Sequence, residues 1–230
     1  MRALVASRPV ACRRLLGGAR RQTGGVTGGR HGEAVSPAQR PPICVAVHGG
    51  AWSIPDALKE PNLRACEAAV AAAYAVLREG GSALEAAEKA VCCLESDESL
   101  NAGRGCSLNE LGEPECDAMI MEGSLRCGAV AGVQAVHPVS LARRVMERTE
   151  HAFLTGAGAM DFALAEGLAA STRQELVTAA AEEEWRTWKG YRSNVRSLFA
   201  AGRAGDTVGC VALDAAGGLA CATSTGGVVG

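Results

Sequence analysis

The feature that most constrains the fold is a pair of short apolar strands near the end of the chain. The sequence predicts strands over 207–213 and 219–223, joined by a hairpin turn over 215–218. The first strand opens at Thr207, directly after Asp206, within the run Gly205-Asp206-Thr207-Val208-Gly209. This pair predicts that a β-sheet lies at the centre of the fold.

The rest of the chain alternates between helical and strand-like segments of small residues. Helical spacing predicts helices over 61–78, 82–94 and 138–147, and Ser82 with Glu85 fits a capping box. Further short strands are predicted over 43–48, 106–109, 115–121 and 126–133. Because aromatic residues make up only 3% of the chain, the core must consist of Ala, Val, Leu and Gly. The predicted fold class is α+β, with helices lying on a sheet.

Charge and cysteine usage exclude several classes of function. A net charge of -2 gives no electrostatic basis for binding nucleic acid or an anionic membrane. No apolar run approaches the roughly 20 residues of a membrane span. The ten cysteines show no CxxC pair or Cys/His spacing typical of zinc, so they are interpreted as small buried hydrophobic residues. The sequence therefore predicts no metal and no cofactor.

The composition divides the chain into four segments. Residues 1–42 carry eight arginines against one acid, Glu33, which is typical of a transit peptide or a disordered leader. Its first half could form a basic amphipathic helix that includes Leu4 and Val5. Residues 43–168 are predicted to form a core, and 169–206 a flexible charged linker. The last segment, 207–230, holds the hairpin.

The residue types at the linker end allow one specific chemistry. A threonine hydroxyl is a poor nucleophile until a base takes its proton. If the Asp206–Thr207 bond were cut, Thr207 would gain a free α-amine, with a pKa of about 7.7–8.0, as its own base. The alternative is that Thr207 only begins a strand, and the residues alone leave both interpretations open.

Motifs along most of the chain resemble the plant-type L-asparaginase/isoaspartyl peptidase family, a branch of the N-terminal-nucleophile hydrolases. The order and spacing of these motifs carry the resemblance, since none is decisive alone. The motifs are Val47-His48-Gly49-Gly50, Leu77-Arg78-Glu79-Gly80-Gly81-Ser82-Ala83, Asn101-Ala102-Gly103, Leu108-Asn109, Cys116-Asp117-Ala118, Gly128-Ala129-Val130, His137-Pro138, Phe153-Leu154-Thr155, Gly205-Asp206-Thr207-Val208-Gly209 and Thr223-Ser224-Thr225-Gly226-Gly227.

The resemblance implies a fold and a set of site residues. The fold would be an αββα four-layer sandwich, incomplete at the carboxyl end. Thr207 would be the nucleophile, freed by cleavage after Asp206, and 207–230 would begin the second subunit. Thr225 matches a second threonine that tunes the nucleophile, and Asn101 an asparagine that supports the site. The alternatives are that Asn101 is a turn residue and Thr225 strand filler.

Two nearby residues have structural interpretations as well. His48 ends a predicted strand, and the resemblance implies that it lies close to the scissile bond; the alternative is a core histidine whose hydrogen bonds are satisfied. Asp117 is interpreted as structural rather than catalytic. The family also holds a sodium ion on backbone carbonyls, which would lie over 95–101 here and leave no side-chain signature.

The implied function is amide hydrolysis without a cofactor. The substrates would be L-asparagine, giving aspartate and ammonia, and β-aspartyl (isoaspartyl) dipeptides. The family's processed subunits form a homodimer, and neither nucleic acid nor membrane is an expected partner. The expected location is the cytoplasm, or the mitochondrion if the arginine-rich leader is a transit peptide.

The family pattern continues beyond the last residue of this chain. Its substrate-binding Arg and Asp and its oxyanion Thr-Gly pair are expected downstream of Gly230. Loss of one oxyanion donor typically costs 10²–10³ in turnover. We therefore expect this chain, on its own, to be inactive or nearly so. The alternative is a non-catalytic truncated isoform that associates with the full-length enzyme.

Overall fold

The structure, a computed structural model, describes residues 4–7, 42–51, 54–191 and 207–230. The strands are β1 (Leu4–Ser7), β2 (Cys44–His48), β3 (Cys116–Glu122), β4 (Cys127–Val133), β5 (Phe153–Thr155), β6 (Val208–Leu213) and β7 (Leu219–Thr225). The helices are α1 (Asp56–Arg78), α2 (Ala83–Glu95), α3 (Pro138–Arg148), α4 (Gly156–Ala165), α5 (Arg173–Leu176) and α6 (Ala179–Tyr191).

The strands form one sheet in the order β1-β2-β6-β7-β3-β4-β5. All neighbours are antiparallel except β4 and β5, which are parallel. The predicted hairpin is confirmed: β6 and β7 pair directly, and the amide of Asp214 donates to the carbonyl of Gly218 at 3.0 Å. The hairpin lies in the middle of the sheet, with the early strand β2 beside it.

The helices form because local signals and small residues agree. Ser82 caps α2 by accepting from the amide of Glu85, and the Glu85 carboxylate accepts from the amide of Ser82 at 2.7 Å. Alanines at the contact surfaces let α1 and α2 pack closely, and Ala69, Ala73 and Ala90 are fully buried. Among the described residues, no helix is both long and apolar enough to cross a membrane.

The two faces of the sheet differ because side chains alternate along each strand. One face, with Val45, Val208 and Ala222, is buried in the core that also holds α1, α2 and α3. On the other face, Val211 of β6 is 54% exposed and Leu219 of β7 is 58% exposed. We call this second surface the open face. The α+β class is confirmed, and the described residues form one sheet and its helices, two of the four layers expected.

Two local predictions differ from the structure. Residues 106–109 form no strand and make one isolated bridge, from Leu108 to Pro114, because the chain turns at Gly112. A basic amphipathic helix that includes Leu4 and Val5 was one possibility for the leader, but Leu4–Ser7 pairs with β2 as a strand. The rest of the leader lies outside the described residues, apart from its last residue, Pro42.

The first part of the predicted charged linker, 169–206, which could also have been an exposed helix by its sequence, contains two helices. Helices α5 and α6 occupy most of 173–191, and Leu176 is fully buried. Although the segment is rich in charged residues, two of its apolar residues, Trp185 and Trp188, pack against Val229. The second part, 192–206, lies outside the described residues and includes Asp206.

Candidate active site

The antiparallel register of the central strands brings Thr207 opposite Thr225. Val208 pairs with Ser224, so Thr207, one residue earlier, faces Thr225, one residue later. On the next strand, Thr225 pairs with Asp117. Residues directly opposite on antiparallel strands have Cβ atoms about 4.5–5.5 Å apart. Thr207, Thr225 and Asp117 therefore form a row across β6, β7 and β3, which we call the threonine row.

The threonine row belongs to the open face. Its neighbours Val208 and Ser224 are buried on the helix side, and the alternation of side chains turns Thr207 and Thr225 to the opposite side. Both threonines are partly exposed. The hydroxyl of Thr225 accepts from the amide of Gly227 at 3.0 Å, which fixes its direction. The two threonines that could perform chemistry therefore lie on the open face at partly exposed positions.

Asn101 holds the turn that follows Thr225. Its side-chain amide donates to the carbonyl of Gly227 at 2.7 Å, and its side-chain oxygen accepts from the amide of Ser107 at 2.8 Å. Its own carbonyl accepts from the amide of Gly226 at 3.1 Å. Asn101 is 6% exposed, so these bonds are shielded from water. Asn101 therefore joins the loop at Ser107 to the turn at Gly226–Gly227, and we call this set of hydrogen bonds the clamp. These bonds to distant residues agree with a supporting role and are more than a simple turn residue would make.

The clamp requires a glycine at position 226. A Cβ on Gly226 would lie 2.4 Å from the Cβ of Cys106 and 2.6 Å from the side-chain oxygen of Asn101. Real Cβ atoms essentially never approach that closely, so a side chain here would push the clamp apart. The sequence motif contains Gly226 but assigns it no role, because the residues that pack against it are distant in sequence.

His48, the last residue of β2, pairs with Gly209 of β6 and lies next to the threonine row. A Cβ on Gly209 would lie 2.5 Å from the Nε2 atom of His48, so the ring covers the backbone of Gly209. Gly209 and Thr207 are two residues apart and share one face of the strand. The Nδ1 atom of His48 is buried and has no hydrogen-bond partner among the described residues. The structure therefore gives no support to the alternative that His48 is a core histidine with satisfied hydrogen bonds.

Asp117 has a structural contact, as the sequence suggested. Between Cys116 and Ala118 the register shifts, because β4 contains one extra residue there. The amide of Gly132, in the bulge, donates to the Asp117 carboxylate at 2.9 Å. Bulges leave one residue unpaired in the ladder, and Asp117 supplies the missing acceptor.

A buried carboxylate lies behind the site, and the sequence did not predict it. The predicted helix over 82–94 stops before Glu95, yet this residue ends α2 and its side chain is fully buried. Burial raises the pKa of Glu95, while hydrogen bonding from His137 opposes that shift. A charged residue is expected inside only with partners, and its partner lies 42 residues away in sequence. No local pattern could reveal this pair.

The loop before Asn101 offers oxygen atoms to a cation. A Cβ on Gly105 would lie 2.9 Å from the carbonyl oxygens of both Glu98 and Leu100, so these two carbonyls converge. The carbonyl of Glu95 accepts from Arg104, and that of Ser99 accepts from Asn62. Hard cations prefer oxygen ligands, so the converging carbonyls of Glu98 and Leu100 are compatible with the sodium ion that the resemblance implies.

Comparison with known proteins agrees with this geometry. The family model described as asparaginase matches residues 41–230. The chain is 43% identical to isoaspartyl peptidase/L-asparaginase of Xenopus laevis over 187 residues, which are 80% of this chain and 59% of that protein. It is 44% identical to isoaspartyl peptidase/L-asparaginase of Homo sapiens over 190 residues, 82% of this chain and 61% of that protein.

The chain spans about three fifths of the length of the curated relatives it matches. The matched region covers every strand except β1, and it includes Asn101, Thr207 and Thr225. This chain therefore belongs to the asparaginase family.

Proposed function

We propose that these residues form the nucleophile half of an amidohydrolase that acts on L-asparagine and β-aspartyl dipeptides. Thr207 is the nucleophile, Thr225 tunes its hydroxyl, and Asn101 is a positioning residue. The observation that carries the proposal is the threonine row, with Thr207 opposite Thr225 and the turn after Thr225 clamped by Asn101. The names of the similar proteins supply the substrate class.

The first step is hydrolysis of the Asp206–Thr207 peptide bond. One water molecule is consumed, Asp206 gains a carboxylate, and Thr207 gains a free α-amine. That amine is a base of suitable pKa, about 7.7–8.0 before any influence of the site. Nucleophile and base then belong to one residue, so no histidine is needed to deprotonate the hydroxyl.

The second step is acyl transfer from the substrate. The Oγ atom of Thr207 attacks the side-chain carbonyl of asparagine or of a β-aspartyl peptide, and the α-amine takes the hydroxyl proton. The carbon–nitrogen bond breaks, the leaving nitrogen receives that proton, and an ester to Thr207 forms. Water hydrolyses the ester and releases aspartate. Thr225, which the register of β6 and β7 sets opposite Thr207, would donate a hydrogen bond to the reacting oxygen.

Intact mass measurement of the 230-residue chain tests the proposal. We expect two products, 1–206 and 207–230, and none in Thr207→Ala. Thr225→Ala should slow the cleavage. Thr149→Ala is the control, because its hydroxyl bonds only to backbone groups at the end of α3: it donates to the carbonyls of Val145 and His151 and accepts from the amide of His151. Cleavage that persists in Thr207→Ala, or that occurs at another bond, would show that Thr207 is not the nucleophile.

A second candidate function is association without catalysis. The open face supports it, since Val211 and Leu219 expose apolar surface in the middle of the sheet. In this case the chain would join copies of the full-length enzyme and show little turnover of its own. Co-purification with a tagged full-length enzyme at a fixed ratio, with no β-aspartyl dipeptide hydrolysis by the chain alone, would support it. Robust hydrolysis by the chain would exclude it.

A further inference from the structure

A cluster of three metal-binding side chains lies outside the threonine row. Cys92 and Glu95 are in the last turn of α2, and His137 is the residue that precedes α3. The Sγ atom of Cys92, a carboxylate oxygen of Glu95 and a ring nitrogen of His137 all lie within 4.8 Å of one another. We propose that these three side chains form a binding site for Zn²⁺.

The donor set suits zinc better than other common cations. Zinc binds thiolate, imidazole and carboxylate together, and three protein ligands leave a fourth position for water. Calcium and magnesium prefer oxygen ligands only, so a thiol and an imidazole in one cluster argue against them. The cluster therefore has the composition of a three-ligand zinc site with one open position.

The spacing of two donors already matches tetrahedral zinc. The Nδ1 atom of His137 lies 3.3 Å from the Oε2 atom of Glu95. Two ligands with zinc bonds of about 2.0–2.1 Å at a tetrahedral angle lie roughly 3.3–3.4 Å apart. The same two atoms can therefore hold a zinc ion with little movement, and only Cys92 must adjust its distance.

Neighbouring groups hold the ligands in place. The amide of Val139 donates to the Oε1 atom of Glu95 at 3.0 Å, which leaves the Oε2 atom toward His137. The hydroxyl of Ser140 lies 3.4 Å from the Sγ atom of Cys92 and donates to Glu88 at 2.6 Å. Such outer contacts orient metal ligands and strengthen binding.

The cluster is accessible from one side. The side chain of His137 is 42% exposed, whereas that of Glu95 is fully buried. His137 makes no capping hydrogen bond to α3, so metal binding would not uncap that helix. A bound ion would tie the end of α2 to the start of α3 and stabilise the folded chain. Nothing in this site depends on the threonine chemistry.

Cobalt titration of the full chain tests the site. The chain is treated with a chelator, kept reduced, and titrated with Co²⁺, which reports thiolate ligation through a charge-transfer band in the near ultraviolet. Zn²⁺ is then added in competition. We expect the band in the unmodified chain, its loss on adding Zn²⁺, and binding weakened at least about tenfold in Cys92→Ser and in His137→Ala. Cys93→Ser is the matched control, a neighbouring thiol that is not part of the cluster.

Thermal unfolding gives a second measurement. Zn²⁺ should raise the midpoint for the unmodified chain and for Cys93→Ser, but not for His137→Ala, because a ligand that binds only the folded state stabilises it. His137→Ala changes a part-exposed side chain, so it tests the site even if Cys92→Ser fails to fold. Absence of the band in the unmodified chain overturns the proposal. A band unchanged in both variants also overturns it, since another thiol such as the exposed Cys221 would then be the ligand.

Discussion

At the scale of single residues, buried polar contacts decide the geometry around Thr207. Asn101 uses both of its side-chain polar atoms and its carbonyl to hold the loop at Ser107 against the turn at Gly226–Gly227. A buried side-chain amide that satisfies two backbone groups cannot be replaced by an apolar residue without leaving both groups unpaired. The position of Thr225 therefore depends on a residue from a distant loop.

We expect Asn101→Ala to reduce the free energy of unfolding by about 2–4 kcal/mol, because two buried backbone groups lose their partners. Urea denaturation measures the loss. Asn109→Ala is the control, since Asn109 accepts from Leu111 and Glu113 in an exposed turn and should cost about 1 kcal/mol or less. Equal losses in the two variants would contradict the clamp.

The contact between His48 and Gly209 gives a second prediction. Gly209→Ala should destabilise the fold by about 1–3 kcal/mol, because its Cβ would meet the His48 ring at 2.5 Å. His48→Ala should remove much of that loss in the double variant, which a double-mutant cycle detects. Gly158→Ala, in α4 with open space around it, is the control and should not destabilise. Purely additive losses would show that the ring is not the obstacle.

Sequence predicted some of these residues and could not predict others. Thr207, Thr225 and Asn101 stand in motifs with characteristic neighbours, so a resemblance identifies them as candidates. Glu95 and Gly226 owe their environments to groups far away in sequence, His137 and Cys106. Burial of a charge and close packing of a glycine are properties of the tertiary structure, and no local spacing records them.

At the scale of elements, local signals were reliable where the backbone itself carries them. The capping box at Ser82 and Glu85 starts α2 as predicted, and Pro138 starts α3. Helix α6 lies in the segment that the sequence predicted as a charged linker, because its charged residues suggested solvent exposure. Its stability comes from contacts that sequence does not show, including the ring of Trp185 against Gly112.

The capping box predicts a dependence of stability on pH. Hydrogen bonds from the backbone and side chain of Ser82 lower the pKa of Glu85 from 4.5. A carboxyl with a lowered folded pKa adds stability above its unfolded pKa and loses it as the pH falls through the folded value. Glu85→Gln should therefore be less stable than the unmodified chain at pH 7, and the difference should shrink below about pH 4.5.

Denaturant unfolding at pH 7 and pH 3 measures this difference. Ser82→Ala should cost about 1 kcal/mol at pH 7, because it removes the hydroxyl that accepts from the Glu85 amide. Glu67→Gln, an exposed change within α1, is the control for the loss of one surface carboxylate. A Glu85→Gln effect that is equal at both pH values would contradict the assigned role of the charge.

At the scale of the whole molecule, the central pairing was beyond the reach of sequence patterns. Strand β2 pairs with β6, so Cys44 lies opposite Leu213 although most of the sequence separates the two residues. Periodicity predicts that such strands exist but not which strands become neighbours. The hairpin of β6 and β7 was predictable because its turn is local, whereas its place in the middle of the sheet was not.

The open face leads to a prediction about association. Val211 and Leu219 expose more than half of their side-chain surface, and a shallow cavity of about 330 Å³ lies beside them, lined by His48, Met119 and Cys221 among others. Contiguous apolar surface of this kind promotes association.

We expect the purified chain to self-associate with rising concentration, as measured by sedimentation velocity, and Val211→Lys to shift it toward the monomer. Leu164→Lys is the matched control, since Leu164 on α4 is 58% exposed but lies away from the open face. If both lysine variants shift the distribution equally, the effect is one of net charge, and the open face is not the contact surface.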